Sequence, residues 1–170
     1  MESLWIETTK NEINLKSLER DEEADICIVG AGLFGLTTAY YLTKCGKKVV
    51  VLEKDKIGEK VSGNTTGKIT SQHELFYKHL IDDYGEEYAK KYLEANEEAI
   101  KNIKQIIQAE NIECEFSEQK AYVYTTKQDE VNEIEQEVEA VNKLGKNAKF
   151  VNQIDLPIKI KGAIQFEGQA

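Results

Sequence analysis

The chain has 170 residues, 41% of them hydrophobic and 31% charged, with a net charge of −9. That composition suits a soluble globular domain with a real core, and excludes a disordered tail or a membrane-embedded protein. Asp and Glu outnumber Lys and Arg 31 to 22 with no basic cluster, so the chain repels nucleic acid and anionic lipid, and neither is expected as a partner.

Residues 1–24 read as a polar N-terminal extension in which Trp5 and Ile6 are candidate anchors onto the domain. The extension has acids and no apolar h-region, so no signal peptide is expected and a cytoplasmic location is. DICIVG (Asp25 to Gly30) is a short β-branched run ending at glycine, which predicts a buried strand. Leu33 to Lys44 carries Leu36, Ala39, Tyr40 and Leu42 to Thr43 at helical spacing and closes at Gly46. KVVVLE (Lys48 to Glu53) is a second apolar strand; its core, Val49 to Leu52, is the longest apolar run and far too short to span a membrane. Strand, glycine turn, helix and strand within about thirty residues form a βαβ unit, a parallel pair with a right-handed crossover.

Two helices are predicted next, about His73 to Asp83 and Glu86 to Glu110, the second with Tyr88, Tyr92, Ala99, Ile103 and Ile107 as its apolar stripe. The period then changes. ECEF (Glu113 to Phe116) and KAYVYTT (Lys120 to Thr126) alternate like the arms of an antiparallel hairpin joined by Ser117 to Gln119. Tyr122 and Tyr124 are assigned to opposite faces of that strand, as packing residues. A further helix carries Val131, Ile134, Val138 and Val141 on one face and ends near Gly145, and short strands follow at Ala148 to Val151 and Gly162 to Phe166.

The three cysteines, Cys27, Cys45 and Cys114, are odd in number and widely spaced, which predicts neither a disulfide framework nor a zinc site. Cys27 reads as a small core residue. His73 and His79, six apart, fall on different helix faces and read as structural, so no metal site is expected.

Gly30-Ala31-Gly32-Leu33-Phe34-Gly35 is a GxGxxG sequence between a strand and a helix. Gly30 permits the tight turn, Gly32 lets a pyrophosphate approach the backbone, and Gly35 lets helix and strand pack closely. The helix start, Leu33 and Phe34, offers free N–H groups and a positive dipole to the phosphates. Glu53 closes the second strand 23 residues after Gly30, close to the spacing at which such folds place the acid that holds the adenosine ribose. Its charge disfavours a 2′-phosphate, and Lys54 stands beside it. An adenine dinucleotide is the ligand these residues predict; FAD and NAD both remain open on that pattern.

The run IVGAGLFGLTTAYYLTKCGKKVVVLEKD resembles the N-terminal domain of the D-amino acid oxidase-like superfamily of FAD-dependent oxidoreductases, which includes glycine, sarcosine and amine oxidases. The likeness is specific over Asp25 to Asp55 and recognisable through Thr70. In that family a Gly/Ser/Thr-rich segment after the ribose acid runs under the flavin, and SGNTTGKIT looks like that segment, which implies cofactor contacts from Ser62, Asn64, Thr65, Thr66, Gly67, Lys68 and Ile69. A similar run occurs in bacterial members that carry a C-terminal Rieske iron–sulfur domain; the chain itself has no CxH…CxxH set. The resemblance implies an α/β fold: a Rossmann-like FAD/NAD(P)-binding βαβ region over 25–112, and the start of an antiparallel α+β substrate region over 113–170. It implies FAD as cofactor, a small-molecule amine or amino acid as substrate, and hydride transfer from the substrate α-carbon to the flavin. It also implies a longer parent protein, in which the catalytic residues lie beyond Ala170 and this portion alone is inactive; no residue here is assigned as acid, base or nucleophile. An NAD-dependent dehydrogenase and a non-catalytic dinucleotide-binding module are the competing readings.

Overall fold

A computed structural model describes residues 3–8 and 15–170. The chain divides into two compact units, one ending at Gly67 and the other running from Lys68 to Ala170.

In the first unit, β1 (Ile26–Val29) and β2 (Val49–Leu52) pair in parallel, with Ile26 opposite Val49 and Val29 opposite Leu52. Helix α2 (Leu33–Lys44) connects them and packs against both. Asp25 fixes the entry to β1, its carboxylate accepting the Lys48 N–H at 2.8 Å. Exposure alternates along β1, with Ile26 and Ile28 half-buried and Cys27 and Val29 exposed. Cys27 is therefore not the core residue its apolar neighbours suggest, because strand side chains alternate between faces and its face is the uncovered one. The extension contributes a short helix, α1 (Leu4–Thr8), which lies against a 3₁₀ turn at Ser62–Asn64.

In the second unit, α3 (Tyr77–Tyr84), α4 (Glu86–Ala109) and α5 (Val131–Lys143) accompany an antiparallel sheet ordered β3-β5-β4. Its strands are β3 (Gln119–Thr125), β4 (Lys149–Val151) and β5 (Gly162–Gln169). Tyr77, Leu80, Leu93, Ile134, Val141, Ile164 and Phe166 form the core, with the Tyr77 and Phe166 rings stacked. These contacts place α3 and α4 in one compact unit with the sheet, whereas the sequence division at residue 112 separates them from it.

Local differences have local causes. The expected hairpin does not form: residues 113–116 are not a strand, Asn111 and Glu115 have positive φ (51° and 52°), and β3 pairs instead with β5. The predicted start of α3 at His73 moves to Tyr77 because Glu74 adopts φ 58°, outside the helical region. Along α4 the buried side chains are Ala89, Leu93 and Ile100, and Tyr88 is exposed, so the apolar stripe starts one residue later than its sequence suggests. Tyr122 and Tyr124, two apart on a regular strand, share a face rather than occupying opposite ones.

A buried polar network closes this unit. Ile69 and Ala170 exchange both backbone hydrogen bonds, at 2.7 and 3.0 Å. Beside them the Gln169 side-chain oxygen accepts from the Ser71 N–H (2.7 Å) and the Thr70 hydroxyl (2.8 Å). The Ser71 hydroxyl donates to Glu97, which also pairs with Lys146 at 2.6 Å. The Tyr77 hydroxyl donates to the Ser71 carbonyl at 2.5 Å, and burial pushes its pKa upward. Among the described residues no helix is long and apolar enough to cross a membrane, and no group of three or more His, Cys, Asp or Glu side chains is placed to hold a metal ion.

Candidate functional site

The turn from β1 into α2 is built by close approach. The Gly30 N–H donates to the Leu52 carbonyl at 2.7 Å, and Gly30 then turns the chain at φ +104°, a conformation that side chains disfavour. A Cβ on Gly35 would lie 2.0 Å from the Gly30 carbonyl oxygen, so the first turn of α2 rests directly on the strand exit. Leu33 and Phe34 project outward from the helix start, 68% and 86% exposed.

Two side chains from elsewhere in the sequence complete the turn. Glu53, at the end of β2, accepts the Ala31 N–H at 2.8 Å through Oε2 and the Asp55 N–H at 3.1 Å through Oε1. The Ala31 bond, and then the Asp55 bond, hold its carboxyl below the usual value of 4.5, so it is ionised at neutral pH. A carboxylate has about four acceptor positions; two are used here, which leaves room for ribose hydroxyls. Ser62 supplies the second: its Oγ accepts the Leu33 N–H at 2.8 Å. Gly32, the N-cap of α2, has no side chain to do this, and a Cβ there would stand 3.1 Å from Ser62 Oγ. A hydroxyl 29 residues away thus caps the helix.

The segment after Ser62 is tied back to its own approach. Asn64 Nδ2 donates to the carbonyls of Glu59 (3.1 Å) and Lys60 (2.7 Å), and the Gly67 N–H reaches Thr65 Oγ1 at 3.4 Å. Gly58 joins this approach to the turn, its N–H donating to the Ala31 carbonyl at 3.0 Å.

Of the sequence-derived candidates, the structure gathers Gly30, Gly32, Leu33, Gly35, Glu53 and Ser62 into one cluster. Phe34, Lys54 and Thr66 are exposed, and Asn64, Thr65 and Gly67 lie in the tied segment. Lys68 and Ile69 belong to the second unit, where Ile69 pairs with Ala170. Sequence reasoning missed Ala31 and Gly58. Ala31 was legible only as an x of GxGxxG, and Gly58 only as an isolated glycine after the second strand.

A helix start with an ionised acid beside it is an arrangement able to take a dinucleotide, whose ribose and phosphates adjoin. A Cβ on Gly32 would crowd Ser62 Oγ and one on Gly35 would strike the Gly30 carbonyl, so both positions need bare backbone; Gly35 is buried and seats α2 on the strand exit.

Residues 25–169 match the profile of a family described as FAD dependent oxidoreductase. A Bacillus subtilis (strain 168) protein described as a Rieske 2Fe-2S iron-sulfur protein, YhfW, is 37% identical over 169 residues, covering 99% of this chain and 33% of its own length. Gamma-glutamylputrescine oxidoreductase of Escherichia coli (strain K12) is 29% identical over 100 residues, covering 59% of this chain and 24% of that protein. Among solved structures, L-amino acid deaminase from Proteus vulgaris superposes with a TM-score of 0.69 at 16% identity, covering 92% of this chain and 36% of that one. Glycine oxidase from Bacillus cereus ATCC 14579 superposes with a TM-score of 0.63 at 18% identity, covering 86% and 40%. At those identities the structures support the fold. The chain spans about a third of the length of the Bacillus subtilis relative.

Proposed function

The chain belongs to the family of FAD-dependent oxidoreductases, and from that premise we propose that it forms the FAD-binding part of an enzyme that oxidises the C–N bond of an amine or amino acid. The family's cofactor is FAD, so the competing assignment to NAD falls away. The observation that carries the placement is the ionised Glu53 bonded to the Ala31 N–H at the start of α2. When bound, FAD supplies a flavin ring that takes up the hydride lost from the carbon beside the substrate nitrogen.

The chain's own residues do the holding. Glu53 keeps the turn in shape with the bonds already present and offers its remaining acceptor positions to the ribose hydroxyls. Gly30 and Gly32 bring backbone close to the pyrophosphate, Gly35 seats α2 on the strand exit, and the start of α2 at Leu33 and Phe34 presents its dipole there. Ser62 holds the Leu33 N–H and offers a hydroxyl beside the phosphates. Asn64, Thr65, Thr66 and Gly67 continue along the cofactor, and Lys54 joins the set inferred from the family segment. Residues 25–112 are assigned to cofactor binding and 113–170 to the start of a substrate region. The parent protein is inferred to carry a Rieske domain after them, since the Bacillus subtilis relative is described as a Rieske protein. The amine assignment draws support from gamma-glutamylputrescine oxidoreductase among the relatives.

The test is direct. The full-length product should purify yellow, absorbing at about 450 nm as flavins do, and should bleach anaerobically on addition of the right amine or amino acid. A flavoprotein that no amine or amino acid bleaches would overturn the C–N assignment. Glu53→Ala should raise the Kd for FAD by about 10- to 100-fold, the scale for losing hydrogen bonds to a charged group; an unchanged Kd would remove Glu53 from the site.

The pH dependence has a fixed sign. Glu53 has a lowered carboxyl pKa in the folded turn, so its contribution is fully present above its ordinary value of 4.5 and is lost as pH falls through the lowered one. FAD affinity should therefore be level from neutral pH down to that value and fall below it. In Glu53→Gln that acid limb should disappear.

A further inference from the structure

We infer that the N-terminal helix α1 is a built part of the dinucleotide site, and that Trp5 is a positioning residue for the segment that carries Ser62 to α2. The ligand rests on the FAD reading above; the geometry rests on contacts within the first unit.

Trp5 and Ile6 grip this segment at two glycines. The Trp5 indole N–H donates to the Thr65 carbonyl at 2.7 Å. Its ring lies on Gly67, where an added Cβ would stand 2.4 Å from Cζ2 and 2.9 Å from Cη2. Gly67 adopts φ +73°, so both its backbone and its bare surface suit the indole. At Gly63 an added Cβ would lie 3.2 Å from Ile6 Cγ1 and 2.5 Å from the Gly58 carbonyl oxygen. Gly63 is buried between α1 and the Gly58 backbone, and Ser62, immediately before it, holds the Leu33 N–H. Each step from α1 to the start of α2 is thus a hydrogen bond or a contact closed to a methyl group.

The segment needs such a hold. Val61 and residues 64–67 are exposed, and their composition is Gly, Asn and Thr apart from that valine, so they bring little apolar surface of their own. A segment fixed before the ligand arrives does not charge its ordering against binding. Trp5 itself is 39% exposed, so its removal takes a ring from the segment without emptying a core.

The experiment uses the full-length protein, FAD as the probe, and the variants Trp5→Ala, Trp5→Phe, Gly67→Ala and the double variant Trp5→Ala/Gly67→Ala. Two quantities are read: amide hydrogen exchange of residues 61–67 without FAD, and the Kd for FAD from quenching of flavin fluorescence. Trp5→Ala should speed exchange across 61–67 while β1 and β2 keep theirs, and should raise Kd about tenfold, the order of a lost hydrogen bond plus lost preorganisation. Trp5→Phe should restore most of both, since a phenyl ring still covers Gly67 but donates nothing to Thr65. Gly67→Ala should cost more in the parent than in the Trp5→Ala background, where the ring it strikes is gone. Unchanged exchange and Kd in Trp5→Ala, or an equal Gly67→Ala penalty in both backgrounds, would overturn the role of Trp5. If the unsubstituted protein binds no FAD, the cofactor reading falls, and the exchange comparison by itself still decides whether Trp5 holds the segment.

Discussion

Gly35→Ala is expected to cost about 3 kcal/mol or more of stability and to abolish FAD binding, because the new methyl group overlaps backbone. Its Cβ would sit 2.0 Å from the Gly30 carbonyl oxygen and 3.2 Å from the Gly30 carbonyl carbon. Neither atom belongs to a side chain that could rotate away, so the first turn of α2 must lift off β1. That movement pulls the Leu33 N–H from Ser62 and unseats the helix start. Gly30→Ala is the control. No atom lies within 4 Å of its Cβ, so only the φ of +104° is penalised, at about 1–3 kcal/mol. Thermal melting and flavin retention should rank the two, with Gly35→Ala the worse. The opposite order would mean that α2 is not seated on Gly30 as described.

Glu137→Ala should destabilise the second unit by about 3–6 kcal/mol, as each hydrogen bond to a charged group is worth roughly 1.5–3 kcal/mol and two are lost. Glu137 lies on α5 and is only 1% exposed. Its carboxylate oxygens accept the Tyr77 and Lys78 N–H groups, both at 2.7 Å. Those are the first N–H groups of α3, and Phe76 at the N-cap has no oxygen to offer them. A buried acid on one helix therefore caps another. Glu137→Gln keeps one acceptor and sets an NH₂ against the other N–H, so an intermediate loss of about 1–3 kcal/mol is expected. Urea unfolding of the three proteins checks the order. Equal stability of all three would show that water caps α3 just as well.

The contrast between these two residues explains what the sequence could reveal. β1, α2 and β2 were legible because every signal for them is local: two β-branched runs, a 3.6-residue period between them, and glycines at the turn. Gly35 belongs to that set, since its spacing from Gly30 and Gly32 already carries its role. Glu137 does not. It reads as one more acid on an acidic helix, and only the packing of α5 against α3 turns it inward. β3 likewise shows its strand character locally, but its partner β5 lies some 40 residues further on, so pairing with the nearer residues 113–116 was the wrong choice. Cys27 fails for a related reason: a four-residue apolar strand does not say which face a helix will cover. Within the site, Ser62 was named from a family likeness, whereas its hold on the Leu33 N–H depends on a three-dimensional meeting across 29 residues.

The exchange of hydrogen bonds between Ile69 and Ala170 also sets a clock. Ribosomes make Ala170 101 residues after Ile69, which at roughly 5–20 residues per second is a delay of about 5–20 s. Throughout that interval the backbone of Ile69 lacks its partner strand, and Thr70 and Ser71 lack the Gln169 oxygen that later receives them. The 24 residues of α4 are all made well before Ala170, and helix–coil relaxation takes only about a microsecond. The stretch around Ile69 is thus among the earliest parts of the second unit to be made and among the last to be fastened.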